Sequence, residues 1–444
     1  MTDLTQATAT ELFQLYQSGA VSPVAVAEQV LSKIERVNPV INAFCFVDPE
    51  TTMIQAQDSE QRWQQNCPLG PLDGIPIAVK DSILTHGWPT LHASQAIDPD
   101  QSWAEDAPAV ARLREAGAVF VGKTTMSEFG FNAHDSNSLL YGKVHNPWNL
   151  ANSPGGSSGG SAVAVAAGLV PIALASDLGG SIAVPSAWCG VVGIKPSTGL
   201  VSQFPTDVLE LTTVGLMARS CQDLSTGMNI ISRSDWRDST AFAGGSLVFD
   251  LNSPYTLKNK KIACLAPIDQ SNNVVQYLID QSAMIDFVQI DAGVATEVFA
   301  KLLDPKLLQQ WSDIPESLRQ KTGRKIQQLA VIAHKKEKTY SHLLERHKLI
   351  AHMRRFMESY DLIICPATVD SADNANNIVS DVSPMSVFFC MTKQPTVTMP
   401  IGVDSDGAPM AIMIAGAVYK DHDLMCAAHM IQSAFPIPAC PVIL

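Results

Sequence analysis

Two glycine–serine clusters could make a serine nucleophilic. The first, Gly155-Gly156-Ser157-Ser158-Gly159-Gly160, runs straight into the apolar stretch Ser161–Ala175. Hydroxyls and free backbone N–H groups gather there at a helix N-terminus, a setting that favours negative charge. The second is Asp177-Leu178-Gly179-Gly180-Ser181. Consecutive glycines let N–H groups converge on one point, and a serine follows at once. Such a nest can stabilise the oxyanion formed when that serine attacks a carbonyl. Other uses of the pattern fit less well. A flexible linker would not be flanked by apolar, buried-looking runs. A phosphate loop needs GxxxxGK[ST], and no lysine stands at that place. Gly156, Ser158 and Gly160 satisfy GxSxG, but a nucleophile elbow follows a strand, and the approach here is HNPWNLANSP.

A serine nucleophile needs a base. His134 and His145 lie nearest upstream, and neither has a motif around it. Lys80 ends the run Gly-Ile-Pro-Ile-Ala-Val, where a strand would deliver it from the core. A charged group on a buried strand is costly unless it is used. It could also snorkel to solvent or pair with Asp81. Strand alternation, however, turns Asp81 to the opposite face. Bringing a lysine to half-neutrality at pH 7 takes about 4 kcal/mol of environment. Cys189 is a rival nucleophile without an identifiable base, and reads as a core residue.

The segment Ser153–Pro196 resembles the signature of the amidase signature family of serine hydrolases. The family motif GGSSGGS, followed by about two helical turns, a strand, and (T/S)D-x-GGSIR-x-P-x-x-(F/W)CG-x-x-G-x-KP, is matched at Gly155–Ser161, Ser176-Asp177, Gly179–Ile182, Pro185, Trp188–Gly190, Gly193 and Lys195-Pro196. Upstream the resemblance runs through Leu69–Asp81, Gly122–Phe129 and Tyr141–Trp148, and downstream through Val214–Asp223, Tyr360–Thr368 and Ile401–Gly416. It implies a Ser–cis-Ser–Lys triad of Ser181 as nucleophile, Ser157 as proton bridge and Lys80 as base, with the two serines 24 positions apart. It also implies an oxyanion hole from the backbone N–H groups of Leu178, Gly179, Gly180 and Ser181, support from Gly156, Ser158 and Asp177, and a substrate pocket containing Met126, Phe129, Ala183 and Trp188. No metal or cofactor is expected.

The activity implied is hydrolysis of a carboxamide to a carboxylic acid and ammonia or an amine. The alternatives are the glutaminase subunit of a tRNA-dependent amidotransferase, a ureido-type amide hydrolase, and a degenerate member kept as a binding or scaffold protein. The glutaminase subunit's serine/glycine/tyrosine-rich stretch is not found around Glu316–Tyr340, and an intact Lys80, Ser157 and Ser181 speak against degeneracy. Three departures stand out. Ala183 replaces the family arginine, Ala175-Ser176 replaces Gly-Thr, and the region between Lys261 and Tyr340 is short, which bears on the pocket wall.

The elements that must position these residues read as α/β. The fold expected is a large mixed, mostly parallel central sheet covered by helices on both faces, in one amidase domain of residues 1–444. Within it lie an N-terminal helical region (1–62), a catalytic core (63–235), and a remainder carrying the rest of the sheet and the pocket wall (236–444). Thr10–Asn38 is helical in two pieces, with Ser22-Pro23 starting the second and Val26, Val30, Ile34 and Val37 at helical spacing. Ala109–Ala116 reads as a helix leading into the strand Ala118–Val121. Further strands are expected at Ile75–Lys80, Lys261–Leu265, Leu362–Cys365, Thr396–Met399 and Ala411–Ile414. Ser161–Ala175 reads as a buried helix and turn broken by Pro171, and Gly244–Tyr255 is the weakest-patterned stretch.

Among 444 residues, 46% are hydrophobic and 16% charged, enough to build a large core. A net charge of −13 argues against a nucleic-acid partner. The densest basic run, Lys335–Lys338 with Arg346, His347, Arg354 and Arg355, is interrupted by Glu337 and Glu345 and reads as a solvated helix face. Nine cysteines without a CxxC pair argue against zinc and a disulfide framework. No apolar run reaches the roughly 18 residues of a membrane span, and the N-terminus lacks the order of a signal peptide. A soluble, cytoplasmic enzyme with a small-molecule amide substrate is expected, a homodimer if it associates.

Overall fold

The computed structural model describes residues 3–207, 209–243, 247–333, 339–368 and 384–441. The basic run at 335–338 and the first three residues of the weakly patterned stretch at 244–255 lie outside them. The first helix, α1 (Ala9–Gln17), is closed by a capping box between Thr8 and Glu11. In α2 (Pro23–Ile41), Ser22 caps the N-terminus and Pro23 occupies the first turn; Val26, Val30, Ile34 and Val37 are all buried. The third helix, α3, spans Pro49–Gln64, and α4 spans Pro108–Glu115.

Among the described residues, one sheet of eleven strands runs through the fold. Its strands are β1 (Phe44–Val47), β2 (Pro76–Lys80), β3 (Val119–Thr124), β6 (Ile172–Asp177), β7 (Val192–Lys195), β8 (Thr213–Ala218), β9 (Lys261–Leu265), β10 (Met284–Val288), β11 (Leu362–Pro366), β12 (Thr396–Val403) and β13 (Pro409–Gly416). A separate two-stranded ribbon is formed by β4 (Asn137–Ser138) and β5 (Gly142–Lys143). The order across the sheet is β1-β3-β2-β6-β8-β7-β12-β13-β11-β9-β10.

The sheet is mixed, and its parallel pairing is concentrated at two flanks. β3, β2 and β6 are parallel neighbours on one side, and β11, β9 and β10 on the other. Each neighbouring pair from β6 through β8, β7, β12 and β13 to β11 is antiparallel, as is β1 with β3. Connection length explains the difference. A helix carries the chain from β2 to β3 (α4), whereas β12 and β13 are joined by a short turn that can make only a hairpin.

Alternate residues of the strands feed two different cores. Ile262 and Cys264, Leu362 and Ile364, and Ile412 and Ile414 face one core. Ala263 and Leu265, Ile363 and Cys365, and Met413 and Ala415 face the other. The stretch expected as a buried helix and turn divides. Helix α5 (Gly159–Ala166) stops, Gly168 takes a left-handed turn (φ +66°), and β6 begins after Pro171. All eight residues of α5 are buried. Its start lies so close to β3 that a methyl on Gly160 would run into the carbonyl oxygens of Ala43 and Thr125. The helix α6 (Ala183–Cys189) follows the second glycine cluster. Downstream, α7 spans Cys221–Ile231, α8 Asn273–Asp280 and α9 Gly293–Asp313.

Candidate active site

Parallel pairing of β2 with β6 sets Val79 opposite Leu174, so Lys80 and Ser176 emerge side by side at the C-terminal ends of neighbouring strands. Lys80 is 1% exposed. Its Nζ lies 2.8 Å from Ser157 Oγ, 3.0 Å from Ser176 Oγ and 3.1 Å from the Ser176 carbonyl oxygen. Burial pushes this amine down to about 7, against the opposing pull of the Asp177 carboxylate. Asp81 is turned away from it and accepts hydrogen bonds from the N–H groups of Leu91 and Ala93, as strand alternation requires.

The Gly156–Ser157 peptide bond is cis. The Ser157 carbonyl accepts from Ser127 N–H at 3.3 Å and from the Ser136 hydroxyl at 3.3 Å, and Ser136 Oγ receives the Gly159 N–H at 3.0 Å. Ser158 donates its hydroxyl to the Ser176 carbonyl at 3.1 Å. The two glycine clusters are thereby gathered on Ser176.

The second cluster folds around the Asp177 carboxylate. Oδ1 accepts from Gly180 N–H (2.6 Å), and Oδ2 from Ile182 N–H (2.5 Å) and Ala183 N–H (3.3 Å). Gly180 N–H, one of the four expected to line the oxyanion hole, is thus directed at Asp177. The N–H groups of Gly179 and Ser181 donate to no group among the described residues and remain available. Ser181 is 5% exposed, and among the described residues no hydrogen bond joins its hydroxyl to Ser157 or to a histidine.

The expected pocket residues separate. Met126 Cε and Ser157 Oγ both border Gly130, where a Cβ would lie 3.8 Å and 3.5 Å from them. Phe129 packs with Ala96, Leu307, Ile314 and Ile326, and its ring stacks on that of His92 at 6.1 Å. Ala183 and Trp188 join Val184, Ala187, Phe388 and Met413 in the core of one sheet face, so Trp188 has the place of a packing residue. Cys189 is buried with its thiol pushed far up by desolvation, which removes it as a rival nucleophile. His134 is buried with its ring 6.2 Å from that of Trp188, and the His145 ring is tied to the Leu150 carbonyl.

Four residues at the site went unrecognised in the sequence: Ser176, Lys123, Phe299 and Cys390. Phe299 of α9 lies so close to Gly179 that a Cβ there would sit 2.7 Å from the ring. Cys390 donates its thiol to Asp177 Oδ1 at 3.2 Å. Lys123 on β3 is a second buried lysine, lowered by desolvation to about 8, but its donors go to Ile83, Thr85 and Thr90 and not to a serine. The nearness of β3 to β2 was the available signal for Lys123, and Ser176 stands beside Asp177 within the motif; Phe299 and Cys390 come from distant segments. Among the described residues no group of three or more His, Cys, Asp or Glu side chains could hold a metal ion.

The amidase family profile matches residues 25–274 and 265–425. A glutamyl-tRNA(Gln) amidotransferase subunit of Protochlamydia amoebophila is 30% identical over 480 residues, which cover 98% of this chain and 97% of that protein. This chain belongs to the amidase signature family. The corresponding protein of Neisseria meningitidis serogroup A is also 30% identical, over 97% of this chain and 98% of its own length. Among solved structures, the peptide amidase of Stenotrophomonas maltophilia superposes with a TM-score of 0.85 at 25% identity over 99% of both chains. A 6-aminohexanoate cyclic dimer hydrolase superposes with 0.88 at 23% identity, over 99% of this chain and 100% of its own. The family member described here is therefore an amidohydrolase, of a family that acts on small amide substrates. Among the described residues no helix is long and apolar enough to cross a membrane.

Proposed function

We propose that the chain hydrolyses a carboxamide through an acyl-enzyme on Ser181, with Ser157 as proton bridge and Lys80 as base. The observation that carries this is the 2.8 Å contact between Ser157 and a fully buried Lys80 whose amine is half-neutral near pH 7. The neutral amine donates to Ser176 and accepts the Ser157 proton. Ser157 takes the proton of Ser181 as that hydroxyl attacks, closing the Ser157–Ser181 link once substrate fills the site. The N–H groups of Gly179 and Ser181 receive the developing oxyanion. The relay returns a proton to the departing nitrogen, and water releases the acid. Phe299, beside Gly179, and Met126, beside Gly130, are read as the pocket side of the reaction. The chain is read as one amidase domain, supported by a single sheet with strands from residues 44 to 416. A cytoplasmic enzyme without nucleic-acid contact, and a homodimer if it associates, complete the reading.

The test is Ser181→Ala, assayed by ammonia release over a panel of amides with circular dichroism as the folding control. Loss of all but background activity is expected. Retention of more than about a tenth would overturn the assignment, because a lost nucleophile removes orders of magnitude.

A second reading, the glutaminase subunit of an amidotransferase, is supported by the names of full-length relatives at 30% identity. It predicts glutamine as the preferred amide and copurification with partner subunits. Activity on other amides by the isolated chain, with none on glutamine, excludes it.

A further inference from the structure

Ser181 sits between Gly180 and Ile182, and the N–H groups of both neighbours are directed at Asp177. The carboxylate thus grips the nucleophile loop on either side of the serine. Asp177 is 1% exposed and makes no ion pair at salt-bridge distance among the described residues. Position 183, where the signature motif carries arginine, is alanine and supplies only its N–H. The remaining donor comes from the helix Pro384–Met391, whose Cys390 thiol lies 3.2 Å from Oδ1. Cys390 is 1% exposed, and burial, reinforced by the neighbouring carboxylate, holds its thiol far above the usual range, so the proton is present to donate. The helix end is itself anchored, because the Met391 carbonyl accepts Arg346 Nε–H at 3.0 Å.

We propose that Cys390 is a positioning residue for Ser181: its thiol, donated to Asp177, holds the carboxylate in the orientation that grips Gly180 and Ile182 and so aims the Ser181 hydroxyl. This rests on the reading of Ser181 as the nucleophile. A packing role alone would make size matter and the donor irrelevant; a positioning role makes the donor matter.

The experiment compares wild type, Cys390→Ser, Cys390→Ala and Cys390→Val in the full chain. It measures kcat and KM on one amide and the rate of covalent labelling by a fluorophosphonate. In the labelling step Ser181 Oγ bonds to phosphorus, fluoride leaves, and the hydroxyl proton passes to Ser157. Loss of one hydrogen bond to a charged group lowers kcat and the labelling rate about tenfold in the alanine variant. KM stays within about twofold, and serine, which keeps a donor, restores the rate to within about threefold. The valine variant fills the space without a donor and follows alanine, which covers the case of an alanine variant that does not fold. The proposal is overturned if alanine or valine labels as fast as wild type, or if serine loses as much as alanine. Wild type that acquires no label on Ser181 overturns the acyl-serine reading itself; normal labelling of wild type with an unchanged alanine variant overturns only the role of Cys390.

Discussion

Replacing Lys80 by methionine removes an amine and keeps most of its volume. The buried amine titrates near 7, whereas in the unfolded chain it returns to about 10.4. Between those values the unfolded chain binds more protons than the folded one, so stability rises with pH. Holding the amine in its buried place costs about 4 kcal/mol at pH 7 and about 2 kcal/mol at pH 9. The methionine variant escapes that cost at both. It also leaves Ser157 and Ser176 without the amine, but this loss does not depend on pH. The sign of the stability difference at one pH is thus a sum of opposing effects, while its change with pH belongs to Lys80 alone. Thermal melts of both proteins at pH 7, 8 and 9 read that change directly. For a chain of this length 1 kcal/mol shifts Tm by about 1 °C, so the advantage of the methionine variant shrinks by about 2 °C from pH 7 to pH 9. A difference that stays constant with pH would mean that Lys80 keeps its ordinary ionisation inside the fold, and the neutral-base account would fail.

In wild type, kcat/KM rises with pH around a midpoint near 7 as Lys80 loses its proton; a Lys80→Ala variant loses more activity at neutral than at high pH, and a profile of unchanged shape would count against the base role. Gly160→Ala lowers stability by about 1–3 kcal/mol, since the added methyl meets two main-chain carbonyls that cannot yield as a side chain would; a Tm within about 1 °C of wild type would contradict the close approach of α5 to β3. Because the buried Asp177 carboxylate lies beside the nucleophile loop and makes no ion pair among the described residues, a neutral amide is turned over with higher kcat/KM than an isosteric amide bearing a nearby carboxylate. A tenfold preference for the anionic one, about 1.4 kcal/mol, would require a cation from elsewhere in the fold.

Much of the scaffold around Lys80 was legible in the sequence, because its signals are local. Ser22-Pro23 marks the start of α2, and the run before Lys80 is apolar at every position, as a strand buried on both faces must be. The same property hid β6. Ile172–Ala175 continues the apolar composition of α5 without a change of period, so only Gly168 and Pro171 divide helix from strand. β10 shows neither a fully apolar run nor a clean alternation of burial, and β1 has four residues, too few for a period to appear. At the site, the motif pointed to Lys80, Ser157, Asp177 and Ser181, and the structure sets Lys80 Nζ 2.8 Å from Ser157 Oγ. It did not reveal that Asp177 accepts the Gly180 N–H, since that depends on how a five-residue turn closes. Phe299 and Cys390 reach the site from segments more than 100 residues downstream of Ser181, through packing that no local pattern records.

The central claim is that the substrate acyl group passes through Ser181. Rapid acid quenching during turnover, followed by peptide mass spectrometry, tests it most directly. The account predicts an acyl adduct on the peptide containing Ser181, absent from Ser181→Ala. An adduct on another residue, or full turnover by Ser181→Ala, would contradict it.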